Sequence, residues 1–171
     1  MPAPPHTLAR ITREALVSAR RGSRLPSAAI EASAVIAAPI DAVWATLSDL
    51  EGYGGWNPFT PRVDGALEVG ADVALHVQMK APPARRLRQV EHVTCVEPGR
   101  RVDWGTMMVG PMALRANRTQ QLEALGPETT RYWTEDVFSG LLVPLVMALY
   151  RGSIQRGFEG VAQGLKATCE R

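Results

Sequence analysis

The sequence predicts an α+β fold in which an antiparallel β-sheet of six to seven strands is covered by one long C-terminal helix. Between residues 62 and 138 the chain shows only short alternating apolar segments separated by turn residues, which is typical of an antiparallel meander. From Met147 to Thr168 the apolar residues recur every three or four positions, which is typical of an amphipathic helix. The 171 residues suffice for one domain with a sizeable core.

Composition excludes several classes of protein. Hydrophobic residues make up 46% and charged residues 21% of the chain, which is too apolar for a disordered protein. No apolar segment reaches the roughly 18 residues of a membrane-spanning helix, and the N-terminus lacks the apolar core of a secretory signal. We therefore expect a cytoplasmic protein. Cys95 and Cys169 are too few for a disulfide framework or a four-thiolate zinc site, and we expect no metal or other cofactor.

Residues 1–29 are predicted to form a basic helical arm and linker, and residues 30–171 the folded domain. The arm holds five Arg and one Glu, a net charge of +4, so the remainder of this +2 chain carries −2. A slightly acidic domain does not favour nucleic acid as a partner. Residues 7–21 have helical spacing, which fits either a solvated helix or a weak contact with a membrane or a protein.

The domain is predicted to begin with a strand at residues 30–36, followed by two short helices. Pro39 suits the first turn of a helix, because the missing N–H has no partner there in any case. Apolar residues then share one helical face: Ile40, Val43, Trp44, Leu47 and Leu50. Glycines between residues 52 and 55 end this region.

The central region is predicted to form five further strands joined by turns. Residues 73–80 alternate clearly, whereas the pattern of residues 88–96 does not show which of their faces is buried. The predicted strands are residues 73–80, 88–96, 101–108, 113–125 and 130–138. The last helix should run for six to seven turns, although four glycines lower its intrinsic stability.

A series of short motifs, in this order and spacing, resembles the START-like superfamily called SRPBCC, and in particular its polyketide cyclase/dehydrase branch. The motifs are residues 36–39, 43–44, 48–50, 56–58, 69–71, 96–101, 122–125, 138–142 and 164–166. They span about residues 30–167. The resemblance implies a helix-grip fold, in which a curved antiparallel sheet wraps around the C-terminal helix and leaves a hydrophobic cavity between them.

The final predicted hairpin carries the most informative polar residues. A turn centred on Gly126 and Pro127 places residues opposite each other when their numbers sum to about 254. The pairs are Arg118 with Asp136, Gln120 with Thr134, and Leu122 with Tyr132. The resemblance implies that this face lines the cavity. The opposite face would bring two long charged side chains into an apolar pocket, so we reject it.

Arg118 and Asp136 are therefore the candidate catalytic residues. Burying either charge alone is costly, so each needs the other or a ligand group. In one interpretation Arg118 stabilises negative charge on a carbonyl or enolate oxygen while Asp136 orients it or moves a proton. In the other, the two form a structural ion pair that keeps the cavity open. The sequence leaves both interpretations open.

The remaining candidate ligand contacts come from one loop and from the expected cavity wall. The resemblance places Trp56, Asn57 and Phe59 near the cavity mouth, where they could cover or hydrogen-bond an apolar ligand. Alternatively Trp56 is a packing anchor and Asn57 caps the turn. The other candidates are Trp104, Gln120, Tyr132, Thr134, Phe138, Tyr150 and Ile154. Of the three histidines, only His92 is a candidate for the cavity.

The sequence thus predicts a protein that binds a hydrophobic small molecule, such as a lipid, a polyketide or an aromatic metabolite. A second hypothesis is a cyclase, aromatase or dehydratase that uses Arg118 and Asp136. A third is a membrane-associated delivery or interaction module that makes contact through the basic arm. No nucleotide-binding, zinc-protease or serine-hydrolase motif is present. Monomer and homodimer are both compatible with the sequence.

Overall fold

The computed structural model describes residues 25–80, 85–110 and 112–171. The helix predicted within residues 7–21 lies outside them. In chain order the elements are β1 (Ser27–Ile36), α1 (Ile40–Ser48), a 3-10 helix (Glu51–Gly55), β2 (Arg62–Gly65), β3 (Asp72–Val77), β4 (Leu87–Glu97), β5 (Arg101–Met108), β6 (Leu114–Gly126), β7 (Thr129–Ser139) and α2 (Val143–Cys169).

The seven strands form one antiparallel sheet in the order β1-β7-β6-β5-β4-β3-β2. From β2 to β7, neighbours in the chain are neighbours in the sheet, as short connections require. The first strand instead pairs with the last, beside α2. The predicted fold class, a helix-grip arrangement of a curved sheet around a long C-terminal helix, is confirmed. No helix in the described part of the chain is long and apolar enough to cross a membrane.

The edges of several predicted elements were wrong. Strand β1 begins at Ser27 rather than at residue 30, because Ser27, Ala28 and Ala29 pair with β7. Small residues have low β-propensity, so only the neighbouring strand identifies them as sheet. Strand β2 was not predicted, β3 ends at Val77 rather than residue 80, and the second short helix is a single 3-10 segment. The described domain therefore starts before the predicted boundary at residue 30.

A β-bulge explains why the sequence pattern of β4 was ambiguous. Its register with β5 shifts between Val93 and Cys95. A bulge adds one residue to one strand, so the side chains beyond it change faces. Glu91 and Val93 are buried before the bulge, whereas Val96 packs on the core after it.

Helix α2 packs across β1 and β7. Its buried residues recur at helical spacing: Ile154, Phe158, Val161, Ala162 and Leu165. The loop after the 3-10 helix lies directly on α2, where a Cβ atom at Gly164 would overlap the Trp56 carbonyl and one at Gly157 would overlap the Phe59 ring. The glycines that weaken the helix therefore permit this close contact.

Candidate functional site

A cavity of about 410 Å³ lies between α2 and the inner faces of β3 to β7. Because α2 covers β1 and β7, the inner face of the remaining strands is left partly open. The wall is mainly apolar, and its apolar residues are Phe59, Leu75, Val77, Met79, Leu87, Met108, Leu114, Phe138, Val146, Tyr150, Ile154 and Phe158. Three charged side chains join them, from β4, β6 and β7.

The first of these is Arg118 on β6, which is buried. Its Nε donates a hydrogen bond to Thr134 Oγ1 at 3.2 Å, and its guanidinium carbon lies 4.4 Å from the centre of the Phe158 ring. These contacts hold the guanidinium in one place through a hydrogen bond and a cation–π interaction. Its Nη2 is buried and has no hydrogen-bond partner among the described residues. Arg118 therefore keeps one donor group free within the cavity.

Asp136 lies opposite Arg118 in the β6–β7 register, as do Thr134 opposite Gln120 and Tyr132 opposite Leu122. The predicted hairpin register is confirmed. Burial raises the pKa of Asp136 to about 7, against the lowering effect of Arg118.

A direct ion pair between Arg118 and Asp136, one of our two interpretations, is not formed in the described part of the chain. Arg118 bonds Thr134 instead, and Oδ1 of Asp136 is buried without a hydrogen-bond partner in those same residues. The two groups face one cavity without touching, so both remain available to a ligand.

Glu91 on β4 is the third charged group, and it was not among the residues predicted from the sequence. It is buried in the cavity wall, where Gln89 Nε2 donates a hydrogen bond to its Oε1 at 2.7 Å. Burial, and then the negative charge of Asp136, raise the pKa of Glu91 to about 8. The hydrophobic pattern of the sequence did not indicate that Glu91 lines the cavity, because the apolar residue beside it, Val90, is 42% exposed while Gln89 and Glu91 point inward.

Together these groups form an unusual electrostatic site. Arginine stays protonated at any ordinary pH, whereas the pKa values of Asp136 and Glu91 lie close to neutrality. Carboxyl groups with such values can both accept and donate protons near pH 7. The cavity therefore offers one fixed positive charge and two groups suited to proton transfer.

Four of the other candidate residues also line the cavity: Phe59, Phe138, Tyr150 and Ile154. The remaining six do not line it: Trp56, Asn57, Trp104, Gln120, Tyr132 and Thr134. Thr134 acts indirectly, since its hydroxyl accepts the bond from Arg118 and donates to the Thr119 carbonyl at 3.0 Å.

The other five form packing and hydrogen-bonding contacts within the core. The Tyr132 hydroxyl donates to Gln120 Oε1 at 2.8 Å, and both residues are buried. Asn57 Oδ1 accepts hydrogen bonds from the backbone N–H groups of Phe59 and Thr60, so Asn57 holds the turn. Trp56 packs edge-on against the Tyr53 ring, and Trp104 is buried on β5. They support the cavity from outside it.

The described histidines face away from the cavity. His76 bonds Asp64 and His92 bonds Asp72, at 2.8 and 2.9 Å respectively. His92 therefore does not serve as the cavity histidine that the sequence allowed. Across residues 25–80, 85–110 and 112–171, no group of three His, Cys, Asp or Glu side chains is placed to hold a metal ion.

Several solved structures share this fold. Zhui aromatase/cyclase from Streptomyces sp. R1128 aligns with a TM-score of 0.70 and 19% identity, covering 85% of this chain and 95% of that one. Norcoclaurine synthase from Thalictrum flavum aligns with a TM-score of 0.64 and 12% identity, covering 86% of this chain and 96% of that one. A hypothetical protein from Helicobacter pylori aligns with a TM-score of 0.68 and 12% identity, covering 83% and 88%. At these identities the likeness shows the fold alone.

No curated protein sequence matches the chain. A family model described as "Polyketide cyclase / dehydrase and lipid transport" matches residues 27–170. This range begins at the first residue of β1 and ends just after α2, so it covers nearly all of the described domain. The resemblance found in the sequence motifs is confirmed, and the chain belongs to the polyketide cyclase/dehydrase and lipid transport family.

Proposed function

We propose that the protein binds an apolar small molecule that carries at least one carbonyl, enolate or carboxylate oxygen. The observation that supports this most directly is the free Nη2 group of Arg118, buried in an otherwise apolar wall. A buried donor without a partner is costly, so an oxygen that accepts its hydrogen bond is stabilised there. The volume of about 410 Å³ is in the range of pockets that hold small organic ligands.

The arrangement of the charged groups favours a particular orientation of that ligand. Its oxygen lies against Arg118, where negative charge is stabilised, and its apolar body extends towards Leu114, Phe138 and Ile154. A hydroxyl group elsewhere on the ligand would donate a hydrogen bond to the carboxyl group of Asp136 or Glu91. A lipid, a polyketide or an aromatic metabolite satisfies this description.

Binding of fluorescent probes tests the proposal while the natural ligand is unidentified. Two probes differ mainly in charge: anilinonaphthalene sulfonate is apolar and anionic, whereas phenylnaphthylamine is apolar and neutral. Arg118→Met should weaken binding of the anionic probe by about tenfold or more, in line with the loss of one charged hydrogen bond, and should leave the neutral probe bound. The control is Arg115→Met, an exposed arginine on the same strand. Equal loss in both variants, or no loss in Arg118→Met, would contradict the proposal.

A second candidate function is catalysis, which the two carboxyl groups with pKa values near 7 and 8 favour. In a cyclisation, one carboxylate removes a proton from the carbon next to a carbonyl, and Arg118 stabilises the enolate oxygen. The enolate carbon then bonds to a second carbonyl carbon, whose oxygen takes a proton from the other carboxylic acid. The family description and the aromatase/cyclase among the similar structures support this candidate.

Deuterium exchange tests the proton-transfer step alone. The protein should accelerate exchange of the methyl protons of an aryl methyl ketone in D2O, and Asp136→Asn or Glu91→Gln should slow this exchange by about a hundredfold. Asp64→Asn, which removes an exposed carboxylate that does not line the cavity, is the matched control. If the wild-type protein does not exceed the buffer rate, the binding function alone remains.

We also propose that the protein acts in the cytoplasm, where reducing conditions suit its two free thiols, Cys95 and Cys169. The small molecule is the partner that we propose, and nucleic acid is not. The weak membrane or protein contact through residues 1–29, and the choice between monomer and homodimer, stay predictions of the sequence. Native mass spectrometry of freshly purified protein would report the bound molecule and the oligomeric state in one measurement.

A further inference from the structure

We propose that the rim of the cavity mouth docks on an anionic membrane surface, with aliphatic side chains entering the lipid and a surrounding set of cations contacting the headgroups. This inference goes beyond the proposed function. It rests on two independent features, one apolar and one electrostatic, that meet at the same end of the domain.

The apolar feature is a set of exposed aliphatic side chains at one end of the sheet. The six residues are 57% to 87% exposed: Met107, Val109, Met112, Leu141, Leu145 and Leu149. We call them the rim. A folded protein normally leaves such side chains in water only singly, so a contiguous group marks an interaction surface.

The topology brings the rim residues together. Strand β5 ends and β6 begins at the end of the sheet where β7 leads into α2, since Arg115 pairs with Ser139. At this end the backbone N–H of Leu141 donates to the Met112 carbonyl at 3.0 Å. The tip of the β5–β6 turn is held by Val109 at a φ of 61°, a conformation that β-branched residues rarely adopt.

The rim lies at the same end of the domain as the entrance to the cavity. Leu87 and Tyr150 both line the cavity, yet they are 52% and 43% exposed. They therefore mark where the cavity opens to solvent. Tyr150 lies beside Leu149 of the rim on α2, and Leu87 begins β4 at this same end of the sheet, opposite Val77.

The electrostatic feature is the absence of acidic residues from the three stretches of sequence that contain the rim residues and the strand ends beside them. Residues 73–90, 104–122 and 137–158 contain no Asp or Glu and eight Lys or Arg. All of these cations except Arg118 are exposed, namely Lys80, Arg85, Arg86, Arg88, Arg115, Arg151 and Arg156. Because the whole chain is +2, everything outside these segments sums to −6. The positive charge of the chain is thus carried largely by the stretches that contain the rim.

This combination identifies the occupant as an anionic lipid surface. A second copy of the chain, related by twofold symmetry, would bring the same cations against each other. Protein interfaces commonly use Trp, Tyr or Arg anchors in pockets, whereas all six rim side chains are aliphatic and project from a turn and a helix end. Aliphatic side chains surrounded by Lys and Arg are typical of peripheral membrane contact. Docking would place the cavity entrance against lipid, so an apolar ligand would pass without crossing water.

Vesicle sedimentation of the full chain, without added ligand, tests the docking. Wild-type protein should bind vesicles of phosphatidylcholine that contain phosphatidylglycerol. It should bind vesicles of phosphatidylcholine alone much more weakly, and high salt should weaken its binding to the anionic vesicles. The triple variant Val109→Ser, Met112→Ser, Leu145→Ser should lower the partition coefficient by about tenfold or more. The variant Arg88→Gln, Arg115→Gln, Arg151→Gln should have a similar effect.

Matched controls use exposed residues of the same types at the opposite end of the sheet. The variant Val35→Ser, Val69→Ser, Leu125→Ser removes three exposed apolar residues there, and Arg100→Gln with Arg131→Gln removes two exposed charges. Both should bind vesicles like the wild type. If the rim variant still binds vesicles like the wild type, the membrane contact lies in another part of the chain, such as residues 1–29. That result would overturn the proposal.

Two further results would also overturn it. The first is a wild-type protein that does not bind anionic vesicles. The second is a wild-type dimer that the rim variant converts to a monomer, which would assign the rim to a contact between two copies of the chain. The rim variants should bind the soluble fluorescent probes like the wild type, because they leave Arg118 and the cavity wall intact. If the wild type itself does not bind the probes, that result would count against the proposed function and not against membrane docking.

Discussion

Glu91 and Asp136 enter one apolar cavity from different strands, and burial is the main cause of both raised pKa values. Each negative charge also disfavours the other, so the first carboxyl group to ionise makes the second harder to ionise. Arg118 opposes this by lowering both values. At the scale of single residues, the site is therefore defined by one cation and two titratable carboxyl groups that share a low-dielectric space without forming a contact ion pair.

This arrangement predicts a measurable pH dependence of stability. The folded pKa of Glu91, about 8, lies above its ordinary value of 4.5. Between these values the folded protein holds a proton that the unfolded chain has lost, so stability falls as the pH rises through this window. Glu91→Gln removes that dependence. Relative to the wild type, the free energy of unfolding of Glu91→Gln should rise by up to about 1.4 kcal/mol for each pH unit within the window.

Urea unfolding at several values from about pH 5 to about pH 8 measures this difference. The effect of Asp136 is present in both proteins and largely cancels in the comparison. The control is Glu128→Gln, which removes an exposed glutamate in the turn between β6 and β7. A constant difference between Glu91→Gln and the wild type would mean that the Glu91 carboxylate is hydrated in solution.

At the scale of single elements, α2 shows how packing overrides intrinsic propensity. Four glycines weaken the helix when it is considered alone, but three of them face the loop after the 3-10 helix, namely Gly157, Gly160 and Gly164. Gly164 faces the backbone of Trp56, which cannot move without displacing the loop. Gly152 has only the tip of the Arg156 side chain nearby, at 3.4 Å from a Cβ placed there.

Alanine substitutions at these two glycines should therefore have opposite effects. Gly164→Ala should lower the free energy of unfolding by about 1 to 3 kcal/mol, as overpacking usually does. Gly152→Ala should raise it by about 0.5 to 1 kcal/mol, because alanine favours the helix and meets only a flexible side chain. Chemical denaturation of both variants in parallel measures the difference. Equal stabilisation by both would show that the loop does not rest on α2 in solution.

The bulge in β4 helps to explain why the sequence pattern did not show that Glu91 faces the cavity. Before the bulge, the inward residues are Gln89, Glu91 and Val93, and their mixed polarity hides the alternation on which strand prediction depends. No local feature of residues 88–96 marks the bulge. Only the pairing with β5, where Val93 faces Trp104 and Cys95 faces Asp103, shows it.

At the scale of the whole molecule, β1 completes the sheet by pairing with β7 along ten residues, from Ser27 with Ser139 to Ile36 with Thr130. The Gly140 N–H also donates to the Pro26 carbonyl at 3.0 Å. The last strand and the start of α2 therefore depend on residues that lie before the boundary predicted from the sequence. The full stability of the domain should require the chain from about Leu25 onward.

Two truncations test this dependence. A chain that begins at Leu25 should keep the melting temperature of the full protein, because every described contact is retained. A chain that begins at Ile30 should lose about 1 kcal/mol for each backbone hydrogen bond removed, among them the bond from Gly140 N–H to the Pro26 carbonyl, and its melting temperature should fall. Differential scanning calorimetry compares both with the full chain. A large loss in the chain that begins at Leu25 would show that residues 1–24 are part of the folded unit.

The sequence by itself determined the elements whose patterns are local: the five central strands to within a few residues, the amphipathic C-terminal helix and the register of the β6–β7 hairpin. That register placed Arg118 opposite Asp136, because a tight turn fixes which residues pair. The tertiary structure alone decided three other features: the first residues of β1, the inward direction of Glu91, and which polar side chains reach the cavity. Each depends on a neighbour distant in the chain, since burial and pairing with another strand, not local propensity, set its position.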